Sequence, residues 1–281
     1  MASHRDVIQP YFFDPAELQA LGERHAEAYR SGTPFPHIVI DDFLPLDVLR
    51  ECIREFPTPD SIPWTLYTDA GNTRKLAVQD ETLMGPLTRQ LLGQLNSSTF
   101  VQFLETLTGI TGLVADPHLL GGGLHQIEAG GFLNVHADFN RHPTLKLDRR
   151  LNLLLYLNEG WDEGSGGDLQ LWNADMSKCE RRVFPIANRC VIFSTTDLSF
   201  HGHPDPLQTP EGVTRRSLAL YYYSAGRPEE EQSPDHSTLY RGAGEPVPTP
   251  SRSNRDLVRR LTPPIVLDLA SKLKGRLRAR R

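Results

Sequence analysis

The chain has 281 residues, a net charge of −5, 38% hydrophobic and 23% charged residues, a balance that permits a sizeable buried core and is ordinary for a globular protein. An acidic total argues against a general nucleic-acid binder, and no apolar run approaches the roughly 18 residues a membrane span needs. Cys52, Cys179 and Cys190 lie far apart and form no CxxC pair. They read as buried structural thiols in a reducing compartment, so a cytoplasmic location is expected and a thiolate zinc site is not.

The opening MASHRDVIQPYFFDP has no apolar stretch behind a basic start, so no secretory leader is expected. Residues 15–31 read as a helix, with Asp14 as N-cap and Gly32 as stop. PFPHIVIDDFL (34–44) is β-rich, and PLDVLRECIREF (45–56) continues as an amphipathic helix with proline in its first turn. Residues 82–108 carry Leu83, Leu87, Leu91, Leu92 and Leu95 at helical spacing and read as one further helix. The region 1–115 is therefore expected to be mainly helical and to pack on a core formed by the later residues.

The character changes after Asp116. Short apolar segments at 122–128, 132–138, 151–157, 167–173, 182–185, 189–194 and 215–223 alternate with Gly-, Asp- and Pro-rich turns, a spacing that suggests a sandwich or barrel over 116–225. No fixed repeat is visible. Residues 226–253 are rich in Pro, Glu, Gly and Ser and read as a linker or adherent loop. Residues 254–281 should form a basic helix beginning near Pro263–Pro264. The stretch 252–281 holds ten Lys/Arg against Asp256 and Asp268, a local charge of +8 that leaves −13 on the remainder. Such a helix can make weak contact with an anionic surface, or it can simply be solvated.

The chemistry begins at FLNVHADFN. Residues two apart on a strand share a face, so the His136 imidazole and Asp138 carboxylate can meet one metal. SFHGHPDP supplies a third ligand, His201. Two histidines and one carboxylate leave open positions and suit non-heme Fe(II) doing oxygen chemistry. His203 has the same parity and competes with His201, but Pro204 restricts its backbone. The reading favours His201 and leaves His203 to orient a ligand. His4, His25, His37, His142 and His236 read most simply as surface or loop residues, and His118 and His125 as satisfied core or rim residues.

An open Fe(II) site needs a reductant to activate O2, and 2-oxoglutarate would chelate the metal while its distal carboxylate sought a cation. On TRRSLALYYYS, Arg215, Ser217, Ala219, Tyr221 and Tyr223 face one way, and Arg216, Leu218, Leu220 and Tyr222 the other. Arg215 is then the inward fork for a carboxylate, with Ser217 as helper. On RRLNLLLYLNEGW, Leu151, Leu153, Leu155 and Leu157 form an apolar face for helices, and Asn152, Leu154, Tyr156 and Asn158 face a cavity. Tyr156 can hydrogen-bond the distal carboxylate. Gln126, on the 122–128 segment, is added as a candidate co-substrate contact.

H-x-D (136–138), YLNEGW (156–161), GGDLQLW (166–172), FSTTDLSFHGH (193–203) and RRSLALYYY (215–223) stand in the order of the Fe(II)/2-oxoglutarate-dependent dioxygenases. The pattern resembles the bacterial, prolyl 4-hydroxylase-like type over about 116–225. The resemblance implies an α+β protein with a mainly β core, a double-stranded β-helix (jelly roll) with the N-terminal helices on its major sheet. It implies iron on His136, Asp138 and His201, and 2-oxoglutarate on Arg215 and Tyr156. O2 is the other co-substrate and ascorbate a candidate stimulant. The implied reaction hydroxylates a C–H with release of succinate and CO2.

The fourteen-residue step from His201 to Arg215 is longer than in the oxygen-sensing prolyl hydroxylases. The collagen-type enzymes use Lys where Arg215 stands. The expected substrate is therefore a small molecule (an amino acid, natural-product, lipid or sugar intermediate), with a prolyl or other peptidyl side chain as the alternative. A cupin-like, non-catalytic metal-binding jelly roll is the second alternative. Loops 139–150 and 224–245 should frame the entrance, where Arg141, Lys146, Arg149 and Arg150 either meet an anionic substrate or are solvated. Oligomeric state is not readable from the sequence.

Overall fold

The computed structural model describes residues 11–68 and 71–240. The basic helix expected over 254–281 lies outside the described residues.

Helix α1 (Pro15–Arg30) starts where the sequence places it. The Asp14 carboxylate accepts from the amides of Ala16 (2.8 Å) and Glu17 (3.0 Å), with Pro15 in the first turn. Helix α2 covers Leu46–Glu55. The single helix expected over 82–108 is two, α3 (Pro86–Leu95) and α4 (Ser98–Thr108). The break is local. Asn96 caps α3, and the Ser97 hydroxyl accepts from the Phe100 amide at 3.3 Å, starting a new helix. Leucine periodicity runs through the break and hides it.

Among the described residues, twelve strands come after these helices or between them: β1 (His37–Ile40), β2 (Thr65–Tyr67), β3 (Asn72–Val78), β4 (Leu113–Ala115), β5 (Gly123–Ala137), β6 (Asp148–Tyr156), β7 (Leu169–Trp172), β8 (Cys179–Val183), β9 (Cys190–Ser194), β10 (His201–His203), β11 (Arg215–Ser224) and β12 (Leu239–Tyr240). They pair antiparallel in the order β1-β9-β6-β11-β5-β10-β7-β8, with β3 and β12 also on β5, β2 on β3 and β4 on β11. The result is a nearly closed jelly roll. Segments 122–128 and 132–138, expected as two strands, are the one long β5. Its first half pairs β11 and β3, and its far end pairs β10, with His136 opposite His201.

Alternation sorts the faces. Leu151, Leu153, Leu155, Leu218, Leu220, Tyr222, Cys190 and Ile192 lie in one buried cluster with Leu91, Leu92, Leu95, Phe100, Phe103 and Leu104 of α3 and α4. Each such side chain contributes roughly 1.5–3 kcal/mol on burial. Tyr222 also donates its hydroxyl to the Leu95 carbonyl at 2.9 Å. A smaller cluster (Phe35, Tyr156, Leu169, Leu171, Val183, Val191, Phe193) lies on the inner faces of the roll. Cys52 and Cys190 are buried thiols, but Cys179 is only half-buried.

Residues 226–240 adhere to the core as a strap. Leu239 and Tyr240 pair with Ala137 and His136. Asn140 donates to the Ser233 hydroxyl and the Pro234 carbonyl, both at 2.9 Å. Among the described residues no helix is long and apolar enough to cross a membrane.

Candidate active site and metal centre

His136 lies at the end of β5, Asp138 just beyond it, and His201 opens β10. The three ligand atoms lie within 4.8 Å of one another. His136 Nε2 stands 3.5 Å from Asp138 Oδ1, and His201 Nε2 stands 3.4 Å from Asp138 Oδ2. Ligand atoms on one face of an octahedron with bonds of about 2.1 Å are about 3 Å apart, so the set is close to a metal-binding geometry.

The tautomers agree. His136 Nδ1 is 2.8 Å from the Asn134 carbonyl and His201 Nδ1 is 2.9 Å from the Ser199 carbonyl. A carbonyl only accepts, so each Nδ1 carries the proton and each Nε2 lone pair turns toward Asp138. Burial holds His201 down to about 4, with Asp138 opposing and His136 and Arg149 reinforcing the shift. Neutral imidazoles and an ionised carboxylate are what a divalent ion such as iron requires, and the donor set fits it.

Asp138 is held from behind. Burial alone would raise its pKa, but Arg149 and the two imidazoles outweigh it and keep the carboxyl well below the ordinary range. Asn152 donates to Oδ2 at 2.7 Å and Arg149 NH2 lies 3.0 Å from the same oxygen, which leaves Oδ1 for a metal. Arg149 in turn donates twice to Asn152 Oδ1, at 2.9 and 2.7 Å. Its guanidinium is layered between the rings of Tyr221 (3.5 Å) and Phe139 (4.5 Å).

This corrects the sequence reading of Arg149 and Arg150 as entrance-loop cations. Both lie in β6 and are buried. Arg150 reaches Ser224 (3.2 Å) and Glu231 (3.5 Å). Parity hid this, because a bulge opposite Tyr222 and Tyr223 puts Arg149, three residues from Asn152, on the same face as that residue.

The other predicted residues fall on the inner face. Arg215 pairs Ile127, Ser217 pairs His125 and Tyr156, and all three predicted residues are buried. Arg215 donates Nε to the Gly167 carbonyl at 2.6 Å and NH2 to the Tyr156 hydroxyl at 3.2 Å. Burial pushes the Tyr156 hydroxyl above its usual pKa despite Arg215, so it stays protonated and can itself donate.

Gly167 is essential to this close approach. It sits at φ +71°, and a Cβ there would come within 2.5 Å of Leu207 Cδ2 and 2.9 Å of Arg215 Cδ. The pair of glycines in GGDLQLW was the available signal.

Two expectations change. Gln126 pairs with Arg216 and Leu76, on the face opposite Arg215. Its amide is engaged with Thr214 (2.9 Å) and the Pro57 carbonyl (3.3 Å), so it is not brought to the site. His203 does not orient a ligand histidine, because the carbonyls of Asn134 and Ser199 do that. It is buried on β10 two residues from His201, and neither ring nitrogen has a hydrogen-bond partner.

His37 and His142 are also buried rather than superficial. His37 faces the Phe35 carbonyl, and His142 lies between Asp116 and Tyr223. His236, read as a loop residue, ties the strap to the loop before β10. Its Nε2 is 2.8 Å from Asp197 Oδ1.

Comparison with known proteins bears on the same segment. Residues 122–223 match the family described as the 2OG-Fe(II) oxygenase superfamily. Over 269 residues the chain is 23% identical to prolyl 3-hydroxylase OGFOD1 of Mus musculus, covering 85% of this chain and 46% of that protein. The chain thus spans about half the length of that relative.

The structure is similar to a prolyl hydroxylase from Trichoplax adhaerens in complex with a hypoxia inducible factor peptide fragment. The TM-score is 0.51 at 16% identity, over 74% of this chain and 91% of that one. At that identity the likeness is one of fold. A Pseudomonas putida prolyl-4-hydroxylase aligns at a TM-score of 0.48 and 21% identity, over 74% of this chain and all of that one.

Proposed function

We propose that this protein is an Fe(II)- and 2-oxoglutarate-dependent hydroxylase, with the metal on His136, Asp138 and His201 and the co-substrate's distal carboxylate on Arg215. The observation that carries this reading is the pairing of a His-Asp-His set with a buried arginine fork on one inner face. A binding module of the cupin-like kind has no use for the second half of that pairing. Bound iron and 2-oxoglutarate supply the oxygen-activating chemistry, which yields succinate and CO2 and hydroxylates a substrate C–H.

The chain's own residues position and protect. Nε2 of each histidine and Oδ1 of Asp138 would hold the metal, and a set of three protein ligands would leave positions for the co-substrate and O2. Arg149 and Asn152 fix the carboxylate so that a single oxygen points at the ion. Tyr156 and the N–H groups of Arg215 beyond its bond to Gly167 receive the distal carboxylate. The apolar residues Leu169, Leu171, Val191 and Phe193 exclude water from that end.

For the substrate, the strap over the β5 edge beside His136 favours a small molecule or one protruding side chain. A peptidyl, prolyl substrate is the second reading, favoured by the name of the relative that aligns over 85% of this chain.

Anaerobic titration of the metal-free protein with Fe(II) and 2-oxoglutarate tests the cofactor assignment through the visible charge-transfer band of the chelate. The band should need His136 and weaken in Arg215→Ala. Zinc binding or no band would sink the oxygenase reading in favour of a non-catalytic module. Mass spectrometry of prolyl peptides and small-molecule pools after incubation separates the two substrate classes by where the mass gain of one oxygen atom appears.

A further inference from the structure

Once the metal ligands and Arg215 are assigned, His203 remains a buried polar side chain with no role, and it is more completely unpartnered than the Tyr223 hydroxyl or His125 Nε2. His203 is 3% exposed, yet neither of its ring nitrogens has a hydrogen-bond partner. Among the described residues no other buried histidine has both ring nitrogens idle, although Nε2 of His125 also lacks a partner. His136, His201 and His37 each bond a backbone carbonyl through Nδ1, and His142 accepts from the amides of Thr144 (3.2 Å) and Leu145 (3.1 Å). A fully buried imidazole with two idle nitrogens is rare in a native fold and usually marks a site filled by something else.

Its position says by what. His201 and His203 are two apart on β10, so His203 stands about 6.6 Å further along the strand from the metal ligand. That is on the order of the length of a five-carbon chain. Gly202 between them allows β5 to come close, since a Cβ there would lie 2.8 Å from the carbonyls of Leu133 and Asn134. The charged or titratable groups whose fields reach the ring are Arg215, Lys75 and His136, with Arg215 the strongest. Along β5, His203 pairs with Leu133, between His136, which faces His201, and Ile127, which faces Arg215.

A neutral imidazole always offers one N–H donor. We propose that His203 donates this N–H to the distal carboxylate of 2-oxoglutarate, as a third anchor beside Arg215 and Tyr156. This rests on the co-substrate assignment above. It requires no change in protonation and gives the idle ring its missing partner.

The test uses two keto acids that chelate iron through the same 1-carboxylate and 2-oxo group. 2-Oxoglutarate has a distal carboxylate and 2-oxobutyrate has none. Each is titrated anaerobically into the Fe(II)-loaded full chain, with the charge-transfer band as readout, for the unaltered protein, His203→Val and His203→Gln. Loss of a hydrogen bond to a charged group should weaken 2-oxoglutarate about tenfold in His203→Val and leave 2-oxobutyrate unchanged. His203→Gln keeps an N–H donor and should stay within a few-fold of the unaltered protein, which also keeps the test alive if valine unfolds the site.

Equal weakening of both acids, no weakening of either, or a glutamine variant as weak as valine would each overturn the assignment. In all three cases the unaltered protein still shows its band. A missing band in the unaltered protein overturns the co-substrate reading itself, and this inference with it.

Discussion

The two ends of the inner face, His136–Asp138–His201 and Arg215–Tyr156, are built on opposite principles. At the metal end nearly every polar atom is already engaged: both Nδ1 atoms bond carbonyls, and Asp138 Oδ2 is held by Asn152 and Arg149. Only the atoms a metal would use remain. At the Arg215 end, where the proposal puts the co-substrate's distal carboxylate, Arg215 is anchored by Gly167, but His203 has no partner and His125 Nε2 has none either. The first end is preorganised and its geometry belongs to the protein. The second keeps donors in reserve, and its geometry is completed by what binds.

If so, the two ends should fail separately. The largest effect is expected from His136→Ala, which should abolish Fe(II) retention and turnover as measured by metal analysis and succinate formation. Arg215→Ala should leave metal binding intact but cost about 2–5 kcal/mol of co-substrate binding, roughly 30-fold or more in Kd. Asn152→Ala should act in the opposite sense, weakening Fe(II) by about 10–100-fold, with 2-oxoglutarate binding to the metal-loaded protein little changed. Gly167→Ala forces a side chain into positive φ and against Leu207 and Arg215. It should cost about 1–3 kcal/mol in chemical denaturation and loosen 2-oxoglutarate more than iron.

The smallest effect concerns the strap. Burial disfavours the charge on His236, but the Asp197 carboxylate and the Ser237 carbonyl outweigh it and raise its pKa above the ordinary imidazole value. Burial would likewise raise Asp197, yet hydrogen bonds from His236 and Ser233 bring it below the ordinary carboxylate range. The His236 contribution is therefore complete below the unfolded imidazole value of about 6.5 and is lost as pH rises through the raised folded value. The Asp197 contribution is present above the ordinary carboxylate value and is lost as pH falls through the depressed one. Hydrogen-exchange protection of amides 226–240 should peak between these limits and decline on the alkaline side, and His236→Gln should flatten that decline.

How much of this could be read from residues alone obeys the same division. Strand parity is a strict period of two, so the sequence places His136/Asp138, Arg215/Ser217 and Tyr156 on the cavity side. What parity could not show was which neighbour each side chain meets. Gln126 was named as a contact, yet its register with Arg216 turns it away. Arg149 reads as a loop cation because a buried, ring-sandwiched guanidinium beside a carboxylate has no local signature. The two-helix break at Asn96–Ser97 was masked for a similar reason, since the capping hydroxyl competes with a leucine pattern that continues across it. Gly167 needed the long-range approach of Arg215 to reveal its role.

The separation of the two ends is tested most directly by Fe(II) affinity measured before any 2-oxoglutarate is added. The unaltered protein, Arg215→Ala and Asn152→Ala would be titrated side by side under anaerobic conditions. Arg215→Ala should bind Fe(II) as tightly as the unaltered protein while Asn152→Ala binds it more weakly. If Arg215→Ala loses iron as readily as Asn152→Ala, the metal end is not independently built and the account fails.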